Sequence, residues 1–318
     1  GFMNKNENLL SKRALLVSLT IKHPSGIKVD KSLREGLEVD VGADERTLHV
    51  SKHIFGENIN KIFRLISNRA RRNYYWKMTV PWCDTNSDDD SSITSGWRLC
   101  PSTNLEELDE RMNEAKDEFY EEAEKFLQNY DTFVSVAERK LGSAFNSKDY
   151  PDVETLRSKF VFAFKKETIS EITRSTDIRL EVSDKMKADI QREAENKIKN
   201  NVKNVFKVTV DALLEQVNHI VDKLKKGEQF HARSFDKLRQ SVDMLPSINS
   251  DILGNDQDIT NTHQGLLTVL ASINSYDSLR DDSDLGEAKR KKVADDLEKS
   301  VGDLKGSFLD KAFGGSND

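Results

Sequence analysis

Nine apolar residues, Leu105, Leu108, Met112, Ala115, Phe119, Phe126, Tyr130, Phe133 and Ala137, recur in steps of 3, 4, 3, 4, 7, 4, 3 and 4. Side chains at that spacing share one stripe of an α-helix, whereas a strand would send alternate residues to opposite faces. The seam predicts a helix over residues 103–141, a rod of about 58 Å at 1.5 Å per residue, with Gly142 as its natural stop. A second stripe runs through Met186, Ile190, Ala194, Ile198, Val202, Val205, Thr209, Leu213, Val217, Ile220 and Leu224. It predicts a helix over 183–226, opened by Ser183 and closed by Gly227, of about 66 Å. Two rods of similar length, separated by strand-like sequence, suggest an antiparallel coiled-coil arm.

Composition agrees with a chain of single-stripe helices. Hydrophobic residues make up 36% and charged residues 33%, with 15 glycines and 5 prolines in 318 residues. Core material is scarce and loop-forming residues are few, which disfavours a compact, loop-rich α/β enzyme. Lys and Arg number 49 against 55 Asp and Glu, a formal charge of −6, so there is no global attraction to nucleic acid or anionic lipid.

Shorter segments fill in the rest. Residues 14–21 are apolar and β-branched and read as a strand. Residues 30–50 are charged and irregular. A helix is expected from an N-cap at Ser51 through Ile54, Phe55, Ile59, Ile62, Phe63, Ile66 and Ala70. The run 74–82 reads as a strand, 84–96 as an acidic hairpin tip, and 97–101 as the returning strand. A short helix follows Pro151, and 160–164 and 177–182 alternate like strands. Three further helices are expected at 230–245 (stopping at Pro246), 258–275 and 284–312, with a tail from Gly314. The fold class is therefore mainly α with a small β component (α+β). Its expected parts are a small mixed α/β head (14–101 and 155–182), the coiled-coil arm (102–142 and 183–227) and a C-terminal helical segment (228–312).

One cluster combines aromatics with cations: Arg69, Arg71, Arg72, Tyr74, Tyr75, Trp76, Trp82, Trp97 and Arg98. It holds all three tryptophans. Two readings stand. Alternate strand aromatics would pack the head while the arginines solvate a helix end. Otherwise the cluster is an interaction surface, since Trp, Tyr and Arg dominate interface hot spots and stacked aromatics beside cations suit single-stranded nucleic acid.

Other chemistry is thin. The acidic tip Asp84–Asp90 lacks the Gly and Glu positions of a calcium loop. His49 and His53 have helical metal-ligand spacing but no glutamate between them. His219 and His263 lie near apolar stripes and read as packed residues. Cys83 and Cys100 read as reduced thiols. Lys289–Lys292 follows acidic residues at a helix start, a helix-stabilising order that also leaves room for a phosphate-contacting patch. No phosphate loop, dinucleotide fingerprint or nucleophile elbow is present. No catalytic residue, metal ligand or cofactor is assigned. The longest apolar run is too short for a bilayer, no leader segment is visible, and Met3 reads as the natural start after an added Gly1–Phe2.

The segments Tyr75–Trp82 and Gly96–Pro101, a long helix ending near Leu141–Gly142, and Asp149–Tyr150–Pro151 resemble an uncharacterised family of bacteriophages and integrative conjugative elements, classed as a domain of unknown function. The likeness runs from about residue 14 to 245 and is clearest over 74–151. Relatives tend to be encoded beside MoxR-type AAA+ ATPases and von Willebrand A proteins. The resemblance implies an accessory or adaptor role in a phage-encoded remodelling system and carries over no catalytic residue. The expectation is a non-enzymatic, homo-oligomeric protein of the host bacterial cytosol. It would bind a protein partner, either an AAA+ ATPase system or a host protein that it inhibits. The alternative is a DNA-binding or DNA-end-protecting protein that interferes with host nucleases.

Overall fold

The computed structural model describes residues 10–24, 27–29, 51–53, 57–83, 94–169 and 175–313. The elements in chain order begin with α1 (Leu10–Arg13), β1 (Ala14–Lys22), β2 (Ile27–Val29), β3 (Ser51–His53) and α2 (Glu57–Asn68). A π-helix follows at Arg69–Tyr75, then α3 (Trp76–Met78), β4 (Val80–Cys83) and β5 (Thr94–Pro101). Next come α4 (Ser102–Gln128), α5 (Tyr130–Leu141), α6 (Val153–Arg157) and β6 (Val161–Thr168). The chain closes with α7 (Asp184–Lys226), α8 (Ala232–Asp251), α9 (Gln257–Ser272), α10 (Tyr276–Leu279) and α11 (Asp284–Phe313). The fold is mainly helical with a four-stranded sheet ordered β4–β5–β1–β6, plus the antiparallel pair β2–β3. No helix among the described residues is long and apolar enough to cross a membrane.

Two compact units emerge. Unit one comprises Gly1–Val17, Trp76–Glu106 and Lys166–Asp318; unit two comprises Ser18–Tyr75 and Glu107–Lys165. This division differs from the expected head, arm and C-terminal segment. Residues 107–141 and the helix 184–226, expected to pair as an arm, fall in different units. The reason lies in what covers each stripe. Within unit one, α7 packs along α11, and α8 and α9 close the bundle. One continuous core runs from Ile198 to Leu224 on α7 through Phe235, Leu238, Val242 and Leu245 on α8 to Leu297, Val301 and Leu304 on α11. The same core takes Val80, Trp82 and Leu99 from the sheet.

Capping works as the sequence reads for α7. The Ser183 side chain accepts from the Met186 N–H, and Gly227 at φ 65° donates its N–H to the Lys223 carbonyl. A glycine costs least in that left-handed conformation. Gly286 is needed for another reason: a Cβ there would stand 2.0 Å from the backbone oxygen of Asp281. β5 pairs antiparallel with β1, setting Leu16 opposite Leu99, and with β4, setting Val80 opposite Leu99. Pro81 is tolerated because β4 is an edge strand.

In unit two the stripe of α4 and α5 buries against rings rather than a second rod. Phe119 meets Phe63, Phe160 and Phe162 at centroid distances of 5.3, 6.2 and 5.8 Å. Phe126 meets Phe133 and Phe160. The expected single helix over 103–141 is interrupted at Asn129, whose side-chain amide donates to the Lys125 carbonyl at 2.9 Å. A side chain thereby competes with the backbone for that acceptor.

Several local expectations are corrected. The run 74–82 is not one strand: helix continues through Met78 and only Val80–Cys83 is extended. The expected strand at 177–182 is a 3₁₀ turn, Ser175–Asp177, followed by bends. Leu180 and Val182 there are exposed, so alternation had no core to serve. Ser51 lies in β3 rather than capping a helix, and α2 begins at Glu57. Pro246 sits inside α8 instead of ending it. Proline deletes one backbone donor, and burial of Ile248, Ile252 and Leu253 carries the chain past it. The irregular 30–50 segment, His49, most of the acidic tip and the tail from Gly314 lie outside the described residues.

Candidate functional site

The nine residues of the aromatic and basic cluster fall into two units. Arg69 to Tyr75 belong to unit two, and Trp76, Trp82, Trp97 and Arg98 to unit one.

In unit two the residues lie on a widened turn. Ile66, Ala70 and Tyr75 are buried at steps of four and then five, the second step matching the i→i+5 period of a π-helix. Arg69 pairs with Glu118. Arg71 donates to the Ser67 hydroxyl at 2.6 Å, and burial pulls its guanidinium below the ordinary value against an opposing effect of Tyr75. Arg72 points to solvent. Tyr74 lies under the Arg111 guanidinium at 5.2 Å from the ring centroid, and Arg111 is held above its ordinary value first by Tyr74 and then by Glu114. Tyr75 is buried edge-on to Phe164.

In unit one the tryptophans divide. Trp82 is 4% exposed and belongs to the core, whereas Trp76 is 50% exposed. Trp97 is half-buried. Arg98 donates through Nε to the Thr79 hydroxyl at 2.7 Å and through Nη2 to the Thr79 carbonyl at 3.1 Å. Trp82 thus lies in the core, whereas Trp76 lies exposed on a helical turn.

A polar junction in unit one was not read from the sequence. Asp251, the last residue of α8, is 8% exposed. Its Oδ2 accepts from the Thr103 N–H at 3.1 Å, the Thr103 hydroxyl at 2.7 Å and the Ser102 hydroxyl at 3.4 Å. Oδ1 accepts from the Ser250 hydroxyl at 3.1 Å. A carboxylate on the first turn of α4 satisfies orphan donors and opposes the positive helix end. Asn104 reaches the Met78 carbonyl and the Ser247 hydroxyl, and Asn249 bonds to Asp256 and Thr260. Beside this network lies a cavity of about 390 Å³ whose walls include Thr103, Pro246, Asn249, Asn255, Thr260 and His263. Burial lowers the pKa of His263 from its ordinary value, with Asp243 opposing.

Chemically the junction is a clasp. The Asp251 oxygens are taken up by donors. The buried Cys100 thiol is pushed up to about 12 by desolvation and by Asp251, which keeps it protonated and unreactive. Cys83 stands opposite Thr94, not Cys100, in the strand register. No group of three His, Cys, Asp or Glu among the described residues could hold a metal. Truncating Asp251 to alanine should cost about 1–2 kcal/mol, from the lost cap on the first turn of α4. Asp251→Asn, which keeps one acceptor oxygen, should cost less. Denaturant unfolding of both variants checks this, and equal losses would refute the capping role.

The signal for the junction is present but diffuse: the polar runs Ser102–Asn104 and Asn249–Asp251 flank apolar stripes. No curated protein and no solved structure matches the chain. Residues 93–263 match the family described as "Protein of unknown function (DUF3150)". The match opens just before β5, runs through the Asp251 clasp and ends at His263 on the cavity wall. Since it covers more than half of the sequence, the chain belongs to the DUF3150 family.

Proposed function

We propose that this protein acts by binding another protein, through the face of unit two that carries Ile62, Leu65 and Arg72. The supporting observation is the exposure of two large aliphatic side chains one helical turn apart, Ile62 at 38% and Leu65 at 58%. Arg69 and Arg72 continue the row. Aliphatic anchors beside arginine suit a partner surface that is apolar and rimmed with carboxylates. In the finer reading the chain is a non-enzymatic adaptor in a phage or mobile-element AAA+ remodelling system, or an inhibitor of a host protein, working in the bacterial cytosol. The test is affinity capture from infected cells with mass spectrometry, followed by binding of the purified captured protein to the wild type and to Leu65→Asp/Arg72→Glu. The variant should bind roughly 10–100-fold more weakly with unchanged circular dichroism. Equal affinity of the two would refute this surface.

A second reading, DNA binding, draws on Lys289, Lys291 and Lys292, which are exposed at the start of α11. Their neighbour Arg290 is instead occupied with the Leu279 and Asp281 carbonyls. A gel-shift assay at low and rising salt separates this reading from the first, because phosphate contacts strengthen as salt falls.

A further inference from the structure

The longest helix, α7, is covered along only part of its length. From Ile198 onward its apolar row is buried, but between Asp184 and Lys197 no residue is. The row does not end there. Met186 and Ile190 are 51% and 36% exposed, and Ala194 is also exposed. They lead at four-residue spacing into the buried Ile198 and Val202. The neighbouring flank is occupied by the chain itself: Gln191 accepts the Ser175 N–H at 2.6 Å and donates to Glu195 at 2.8 Å. The bare ridge is thus distinct from the side on which the 3₁₀ turn packs.

Two features say what covers it. First, side chains spaced by four form one ridge. When such ridges of two helices interdigitate, the axes cross at roughly −50° and contact is confined to a few turns around the crossing. The ridge from Met186 to Ala194 is of that extent, about 12 Å. Second, the segment is self-complementary in charge. Asp184, Asp189, Glu193 and Glu195 balance Lys185, Lys187, Arg192 and Lys197 within a chain whose formal charge is −6. Two copies meeting here escape the like-charge repulsion that the chain's net charge imposes overall. In a two-fold antiparallel crossing, Met186 would lie on Ile190 of the second copy, and Lys185 would come within reach of its Asp189, which within one chain pairs with Arg192, each contact occurring twice. A two-fold interface requires that reciprocity.

We propose that the ridge Met186–Ile190–Ala194 seats a second copy of this chain in an antiparallel, two-fold helix crossing. The proposal is independent of the partner surface in unit two. The test is sedimentation velocity of the full chain across a concentration series reaching about 100 μM, a range that brackets the affinity of small interfaces. Wild type should shift from monomer to dimer. Met186→Glu/Ile190→Glu should stay monomeric, raising the dimer Kd at least about tenfold, with unchanged helicity by circular dichroism because both positions are exposed. Lys185→Asp should weaken the dimer, and Lys185→Asp/Asp189→Lys should restore it. A wild type monomeric throughout, a dimer that survives the double glutamate variant, or a charge swap that fails to restore would each overturn the proposal. Loss of the dimer with capture of a protein partner intact would leave the reading of unit two standing, so the two ideas fail separately.

Discussion

Replacing Trp82 with alanine should lower the stability of unit one by about 3–5 kcal/mol, the usual cost of removing a large aromatic from a packed core. The side chain is 4% exposed and shares its core with Val80, Leu99 and the buried row of α7. It projects from an edge strand where the β4–β5 register shifts between Pro81 and Cys83. The melting temperature should fall on the order of 10 °C. Trp76→Ala, at a 50% exposed position, should stay within about 0.5 kcal/mol of wild type. Guanidinium unfolding followed by far-ultraviolet circular dichroism measures both. A loss below about 1 kcal/mol for Trp82→Ala would contradict its place in the core.

Phe119→Ala should be of similar size in unit two, again about 3–5 kcal/mol. The ring is fully buried and touches Phe63, Tyr120, Phe160 and Phe162 in edge-on and tilted arrangements. Such geometries add to the area buried. Removing the ring leaves four aromatic neighbours without a shared surface, and stiff rings collapse poorly into a void. Phe119→Leu, which keeps much of the volume, should cost about 1.5 kcal/mol or less. Hydrogen exchange of amides in residues 57–75 and 107–165 reads the effect directly. Unchanged protection in Phe119→Ala would refute the ring cluster as the organising contact of this unit.

The long helices were legible because their periodicity repeats many times, and no strand pattern imitates steps of three and four over eleven residues. β1 was legible for a similar reason, an apolar β-branched run closed by a turn. What failed was local. Tyr74, Tyr75 and Trp76 have strong strand propensity, yet the burial of Ala70 and Tyr75 on one face favoured a widened helical turn, and tertiary packing overrides propensity. Pro246 reads as a stop because the sequence shows the lost donor and not the burial that compensates for it. The partners of the two seams were not legible either, since a stripe declares that it must be covered without naming the cover. The clasp at Asp251 was hidden by distance along the chain: its hydrogen bond to Thr103 joins residues 148 positions apart. As for the aromatic cluster, alternation makes Trp82 and Trp76 look alike in sequence, and only packing separates them.

The π-helix at Arg69–Tyr75 has an electrostatic consequence. Three guanidinium groups within four residues would, on a regular surface, sum into one concentrated positive field. Here the widened turn sends them to three destinations: Glu118, the Ser67 hydroxyl and open solvent. Field focusing depends on like charges sharing one low-dielectric cleft, and this arrangement prevents it. The three arginines therefore act as separate point charges, of which Arg69 is paired with a carboxylate. Encounters at this face should depend little on ionic strength, and its selectivity falls to shape and to the aliphatic side chains beside it.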